Sequence, residues 1–117
     1  MASVDICLRL KDEFNLINTN SKFNFTFNGF SYCNNYYSAT ALYPSYVSNM
    51  VNVVTDCYIN TYGNLICNRL VQANYNDAYQ YLSILYSKAI KDLEIYKKDI
   101  ILEKINQLNK DFIWVLL

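Results

Sequence analysis

Ser45–Cys67, SYVSNMVNVVTDCYINTYGNLIC, can be read in two ways, and the choice decides what stands at the centre of the fold. Val47, Met50, Val51, Val54 and Tyr58 recur at steps of three and four, or nearly so, behind the start signal of Pro44 and Ser45, which predicts a helix over 45–60. Val53, Thr55, Cys57, Ile59 and Thr61 also alternate in a stretch rich in β-formers, and Gly63-Asn64 precedes Leu65-Ile66-Cys67 as it would in a hairpin. The helix is the preferred reading and the hairpin its rival.

Upstream, the pattern is strand-like. Val4, Ile6, Leu8 and Leu10 alternate with Asp5, Cys7, Arg9 and Lys11, which predicts an N-terminal strand with one buried face. Phe23, Phe25 and Phe27 alternate again, and Asn28-Gly29 separates them from Phe30-Ser31-Tyr32-Cys33. Both central residues of a type I′ turn need positive φ, so this predicts a hairpin with strands near 22–27 and 30–38, closed off by Pro44. Asp12 to Ser21, ending in Asn18, Thr19, Asn20 and Ser21, reads as a loop or one helical turn with a loop.

Downstream, Asn76 and Asp77 are good caps, and from Ala78 no Gly or Pro follows, which predicts a long helix over 77–113. Leu82, Leu85, Ala89, Leu93, Tyr96 and Ile100 share one face. Ile101, Ile105, Leu108 and Phe112 lie roughly 120° further round, and Ile84, Ile95, Leu102 and Ile113 mark a third line. A small sheet covers one face only, so Ile101, Ile105, Leu108 and Phe112 are read as a dimer interface. The alternative is a kink near Lys98–Ile100 that folds the last half back. Together these elements predict a single α+β domain over 1–117, with a small antiparallel sheet, formed by the N-terminal strand and the Asn-Gly hairpin, packed on helices that include a long C-terminal one.

Composition narrows the function mainly by exclusion. The 117 residues carry ten basic and ten acidic side chains and no His. The absence of His removes the usual proton-transfer group near neutral pH and the commonest transition-metal ligand, and zero net charge argues against a sequence-independent nucleic-acid binder. Cys7, Cys33, Cys57 and Cys67 form no C-x-x-C pair and no zinc spacing, and they read as reduced thiols. Asp5 and Arg9 interrupt the stretch where a secretion signal would be apolar, and no apolar run reaches the roughly 20 residues of a membrane span, so the expected location is cytoplasmic and reducing. Lys88, Lys91, Lys97, Lys98, Lys104 and Lys110 scatter around the helix among Asp92, Glu94, Asp99 and Glu103, with Glu94–Lys98 and Lys88–Asp92 as surface pairs. Neither isolated glycine belongs to a phosphate loop, and no metal, cofactor or catalytic set is implied.

The abundance of Asn (16), Tyr (12) and Ile (11) beside scarce Gly, Ala, Arg and Pro reflects AT-rich coding. That bias also favours Lys, yet between Lys22 and Lys88 there is none. From Phe23 to Ser87 the charges are Asp56, Arg69 and Asp77, against 11 tyrosines. Tyrosine with Asn, Ser and little charge is the composition of recognition surfaces. The tightest group, Tyr32, Tyr36, Tyr37, Tyr43 and Tyr46, is the candidate partner-binding surface. The expected function is therefore a non-catalytic protein, homodimeric, that occupies a site on a protein partner, in keeping with a viral or phage accessory protein that antagonises a host factor. Two other classes stand beside it: a nucleotide-like ligand held between two copies, and a structural subunit of a larger assembly.

Overall fold

The N-terminal pattern folds as a helix, not a strand. In a computed structural model, which describes the backbone of residues 1–33 and 39–116 and the side chains of 1–33 and 39–110, Ser3–Phe14 forms α1. The helix buries Ser3, Ile6, Cys7 and Leu10 and leaves Leu8 exposed. Ile6 and Leu10 satisfy a period of 2 and one of 3.6 equally well. Cys7 decides between them, because a strand that buries Ile6 turns residue 7 to the other side, whereas here its thiol is fully buried. Asn15 ends α1 in the left-handed region at φ 52°, and the N–H of Leu16 reaches back to the Lys11 carbonyl at 2.9 Å. At the other end the Ser3 hydroxyl donates to the Met50 carbonyl and accepts the Ser45 N–H, each at 2.7 Å, which ties the start of α1 to the loop that feeds the central strand.

Ser45–Cys67 does not form the preferred helix. Val51–Ile59 is β4 and Leu65–Ala73 is β5, paired antiparallel from Val51↔Ala73 to Ile59↔Leu65. Two effects overrule the helical spacing. Val51, Val53, Val54, Thr55 and Ile59 are β-branched and lose χ1 freedom in a helix while packing well on a pleated surface. Asn60 then builds the turn: its Oδ1 accepts the N–H groups of Tyr62 at 3.0 Å and Asn64 at 2.9 Å, and Gly63 takes φ 82°. Three short strands, β1 (Ile17–Asn18), β2 (Phe25–Thr26) and β3 (Leu42–Pro44), complete a five-stranded antiparallel sheet in the order β1-β2-β3-β4-β5. The α+β class with its antiparallel sheet and long C-terminal helix holds, while the N-terminal strand assigned to that sheet is replaced by α1.

The Asn28-Gly29 turn forms, with Gly29 at φ 92°, but it does not join two paired strands. β2 pairs with β1 and β3, and the bridge recorded for the described residues just after the turn is Ser31↔Asn64. Residues 34–38 of the expected second strand lie outside the described residues. The aromatic rings flanking the turn find another use: Phe27 and Phe30 pack on Tyr86 of the C-terminal helix, with centroids 5.7 and 6.4 Å apart.

That helix, α2 (Tyr75–Leu116), is unbroken, so the chain does not fold back near Lys98–Ile100. Its cap is Asn74, whose Oδ1 accepts the Asp77 N–H at 2.8 Å, rather than Asn76 or Asp77. Ala78, Leu82, Leu85 and Ala89 are buried on the sheet side, where the Cys57 thiol lies 3.7 Å from the Leu85 carbonyl. Phe14 stacks on Tyr79 at 4.8 Å, and the Tyr75 hydroxyl bonds Glu13 at 2.6 Å, which joins α2 to α1. In β5, Arg69 sits at φ 53° and its carbonyl accepts the Thr55 hydroxyl at 2.9 Å, so the ladder passes from Val54↔Leu70 to Asp56↔Asn68 without a pair between them.

α2 crosses β4 toward the β4–β5 turn, where the Tyr96 ring closes over Gly63. A Cβ at residue 63 would stand 2.6 Å from Cε1 of Tyr96, on a backbone that already disfavours side chains. Gly63→Ala should therefore lower the unfolding free energy by about 1–3 kcal/mol in urea titration. Adding Tyr96→Ala should relieve the contact while leaving the backbone strain. An unchanged midpoint for Gly63→Ala would show that the helix does not approach the turn this closely.

Candidate interaction surface

Tyr96 packs over Gly63, Asp99 lines the cleft beside Asn60 and Thr61, and Ile100 is still half-buried. Every described residue from Ile101 to Lys110 is exposed, although four of them are large aliphatics: Ile101 56%, Leu102 57%, Ile105 47% and Leu108 67%. The part of α2 after Tyr96, residues 97–116, is about 30 Å long at the α-helical rise, in a molecule 71 Å in its longest dimension. Single exposed aliphatics are ordinary on protein surfaces, but a helical face of them is not. Of the four expected interface residues, Ile101, Ile105 and Leu108 share one exposed stripe on this arm, and the side chain of Phe112 lies outside the described residues. Ile84 and Ile95, from the third line of the helix, are also exposed, at 66% and 57%.

The tyrosine group is dispersed by the fold. Tyr32 is half-buried: its hydroxyl donates to the Phe27 carbonyl and accepts from Thr26 Oγ1 at 3.3 Å, so it braces the turn after β2. Tyr43 is half-buried in β3 opposite Asn52, and Tyr46 stands fully exposed in the β3–β4 loop. Tyr36 and Tyr37 lie outside the described residues. Ser31, beside Tyr32, bridges to Asn64 at one end of β4, whereas Pro44, two residues before Tyr46, pairs with Val51 at the other. These ends are about 27 Å apart along a nine-residue strand. The fold brings forward two tyrosines that the candidate group left out: Tyr58, 44% exposed, in a cleft with Ile95 where α2 passes the β4–β5 turn, and Tyr62, 84% exposed, in that turn. The rival hairpin reading carried that signal, because it places residues 60–63 at a displayed tip.

Two ion pairs form among the described residues. Lys88 donates to the Cys57 carbonyl and to Asp92 at 2.9 Å, and the Asp92 hydrogen bond shifts its pKa upward against partial desolvation. This pair forms, whereas Glu94 and Lys98 make no ion pair, since Lys88 has a second acceptor on β4 to hold it. Arg9 pairs with Glu13 at 2.8 Å and lies 4.2 Å over the Tyr75 ring. All four cysteines are free thiols, and burial pushes Cys7 and Cys67 up to about 12, which leaves them protonated and poorly nucleophilic. Cys57 and Cys67 face each other across β4 and β5, and the Cys57 thiol is also raised, first by desolvation. Among the described residues no group of His, Cys, Asp or Glu is disposed to hold a metal, and no helix is long and apolar enough to cross a membrane. No family model, curated protein or solved structure matches the chain.

Proposed function

We propose that this chain is a non-catalytic interaction protein that works with its α2 arm covered by protein. The observation that carries this reading is the run of ten exposed residues, 101–110, on an unbroken helix. Each of Ile101, Leu102, Ile105 and Leu108 is worth roughly 1–2 kcal/mol when the exposed part of its surface is removed from water. The sheet domain then serves as the head that the arm carries. It displays Tyr46 at one end and Tyr58 and Tyr62 at the other, with Asp92 and Asp99 lining the cleft beside Tyr58, for contact with a macromolecular partner. A reducing compartment suits the four free thiols.

Light scattering on the full chain, alone and mixed with extract from its native setting, tests this. The expected result is a mass above that of one chain, either through self-association or through a partner whose capture is lost when Ile105 and Leu108 are changed to lysine. A chain that stays monomeric in both settings, with no capture that depends on the arm, would sink the proposal.

A further inference from the structure

The chain shows once, within itself, how it holds a guanidinium. Arg9 lies 4.2 Å over the Tyr75 ring, its Nε donates to Glu13 at 2.8 Å, and the Tyr75 hydroxyl donates to the same carboxylate at 2.6 Å. A ring face beside a carboxylate suits this planar cation, which stacks on the one and hydrogen-bonds the other.

The same pieces recur in the cleft where α2 passes the β4–β5 turn. Tyr58 and Tyr96 supply rings, and Asp92 and Asp99 supply carboxylates, around a space of about 340 Å³ with no basic side chain in its lining. Asp92, Tyr96 and Asp99 follow one another along α2 at steps of four and three, which sets them on one face. The Tyr96 ring is held in place where it closes over Gly63.

The charge on this face is not balanced from within. Asp92 accepts Lys88 at 2.9 Å, and Lys88 is held a second time by the Cys57 carbonyl. Asp99 takes part in neither ion pair of the described residues, and its helix neighbours three and four positions away, Ile95, Tyr96, Leu102 and Glu103, include no cation. Lys91, Lys97 and Lys98 are turned roughly 80° or more round the helix from both carboxylates. Glu103, one turn beyond Asp99, and Asp56, near enough to act on Lys88, deepen the negative field.

We infer that this cleft takes an arginine side chain of a protein partner, stacked on the tyrosine rings and paired with Asp99. A lysine ammonium is a compact, strongly hydrated point charge and makes less of a carboxylate flanked by rings. The walls decide for a protein over a free small molecule, since Tyr58 and Ile95 are about half exposed and Tyr62 in the adjoining turn more so. Such walls cannot enclose a metabolite, whereas the backbone beside an arginine would cover them. The inference rests on the reading of the chain as an interaction protein, and it adds the chemistry that the sheet domain recognises.

Titration of the full chain at low salt with a capped Ser-Gly-Arg-Gly-Ser peptide, followed by proton–nitrogen correlation spectra, tests it. The expected result is saturable shifts confined to the amides of residues 58–63 and 92–100. Asp99→Asn should weaken binding roughly tenfold, and Glu94→Gln, an exposed acid on the other side of the same helix, should leave it unchanged. The same peptide with citrulline, which keeps the shape and loses the charge, should not bind, and its lysine counterpart should bind several-fold more weakly. Shifts that never saturate, that follow acids over the whole surface, or that Asp99→Asn leaves intact overturn the site. A lysine peptide that binds equally well overturns the arginine, and free arginine that binds more tightly than the peptide overturns the protein partner. The titration does not involve the arm, so the two readings fail separately. A cleft that binds nothing on a chain that associates through Ile105 and Leu108 removes this inference alone, and a cleft that binds on a chain that associates with nothing removes the arm.

Discussion

Lysine placed at both Ile105 and Leu108 should leave a folded domain that no longer associates. Both side chains are about half exposed or more and lie on the arm past Tyr96, so nothing in the sheet core depends on them. A helix accommodates lysine well, and the thermal transition of the isolated chain should stay within a degree or two of the wild type at concentrations where both are monomeric. The effect on association is large. Across a symmetric contact the change removes four aliphatic side chains and puts four ammonium groups against one another, a loss of roughly a thousandfold or more in affinity. Light scattering over a dilution series reads the mass, and far-ultraviolet circular dichroism confirms that helix content is kept. A double variant that associates as the wild type does would remove the arm from any role in assembly.

A steep loss of stability is expected in alkali, and its source is Cys7 and Cys67. Both thiols are buried, at 0% and 7% exposure, and desolvation raises each from 9.0 to about 12. The folded state thus holds two protons that the unfolded chain gives up above pH 9, and the sign follows: the contribution is complete below pH 9 and is lost as pH climbs toward 12. Each pH unit in that window costs about 1.4 kcal/mol per thiol, so two units remove a large part of the margin of a domain this size. Urea midpoints measured from neutral pH upward should fall beyond pH 9. Cys7→Val and Cys67→Val, close in volume and without a proton to lose, should each flatten the decline. A midpoint that stays level to pH 11 would mean that these thiols are not buried as described.

How much of this was legible depended on whether one residue could serve two periods. α2 was readable because nothing from Ala78 onward breaks a helix, although its cap is Asn74 and not the expected Asn76 or Asp77. Its stripes also gave the exposed arm, since Ile101, Ile105 and Leu108 do not continue the face of Leu82 and Leu85. α1 was not readable as a helix: Ile6 and Leu10 serve either period, and the burial of Cys7 follows from tertiary contact, not from polarity. The β4–β5 hairpin carried opposing signals, settled by the side chain of Asn60 and by β-branched residues, both of which spacing alone ignores. The tyrosine surface failed to gather for a similar reason. Closeness in sequence suggested one patch, whereas the register of β3 on β4 sends Tyr46 to one end of the sheet and leaves Tyr32 at the other, its hydroxyl satisfied internally by Phe27. The alternation of Phe23, Phe25 and Phe27 was legible as a strand but its partners were not, because they depend on which strand arrives at Leu42.

Arg69 has a further consequence for how this molecule behaves in a crowded solution. β5 is nine residues long and, among the described residues, forms one edge of the sheet. A straight edge of that length is a template on which further chains can add strand by strand into a fibril. At its centre Arg69 turns the backbone to φ 53°, interrupts the row of outward N–H and C=O groups, and carries a charge that successive layers would have to stack. Addition of a further strand to this edge is therefore opposed at its middle residue, by backbone geometry and by charge together.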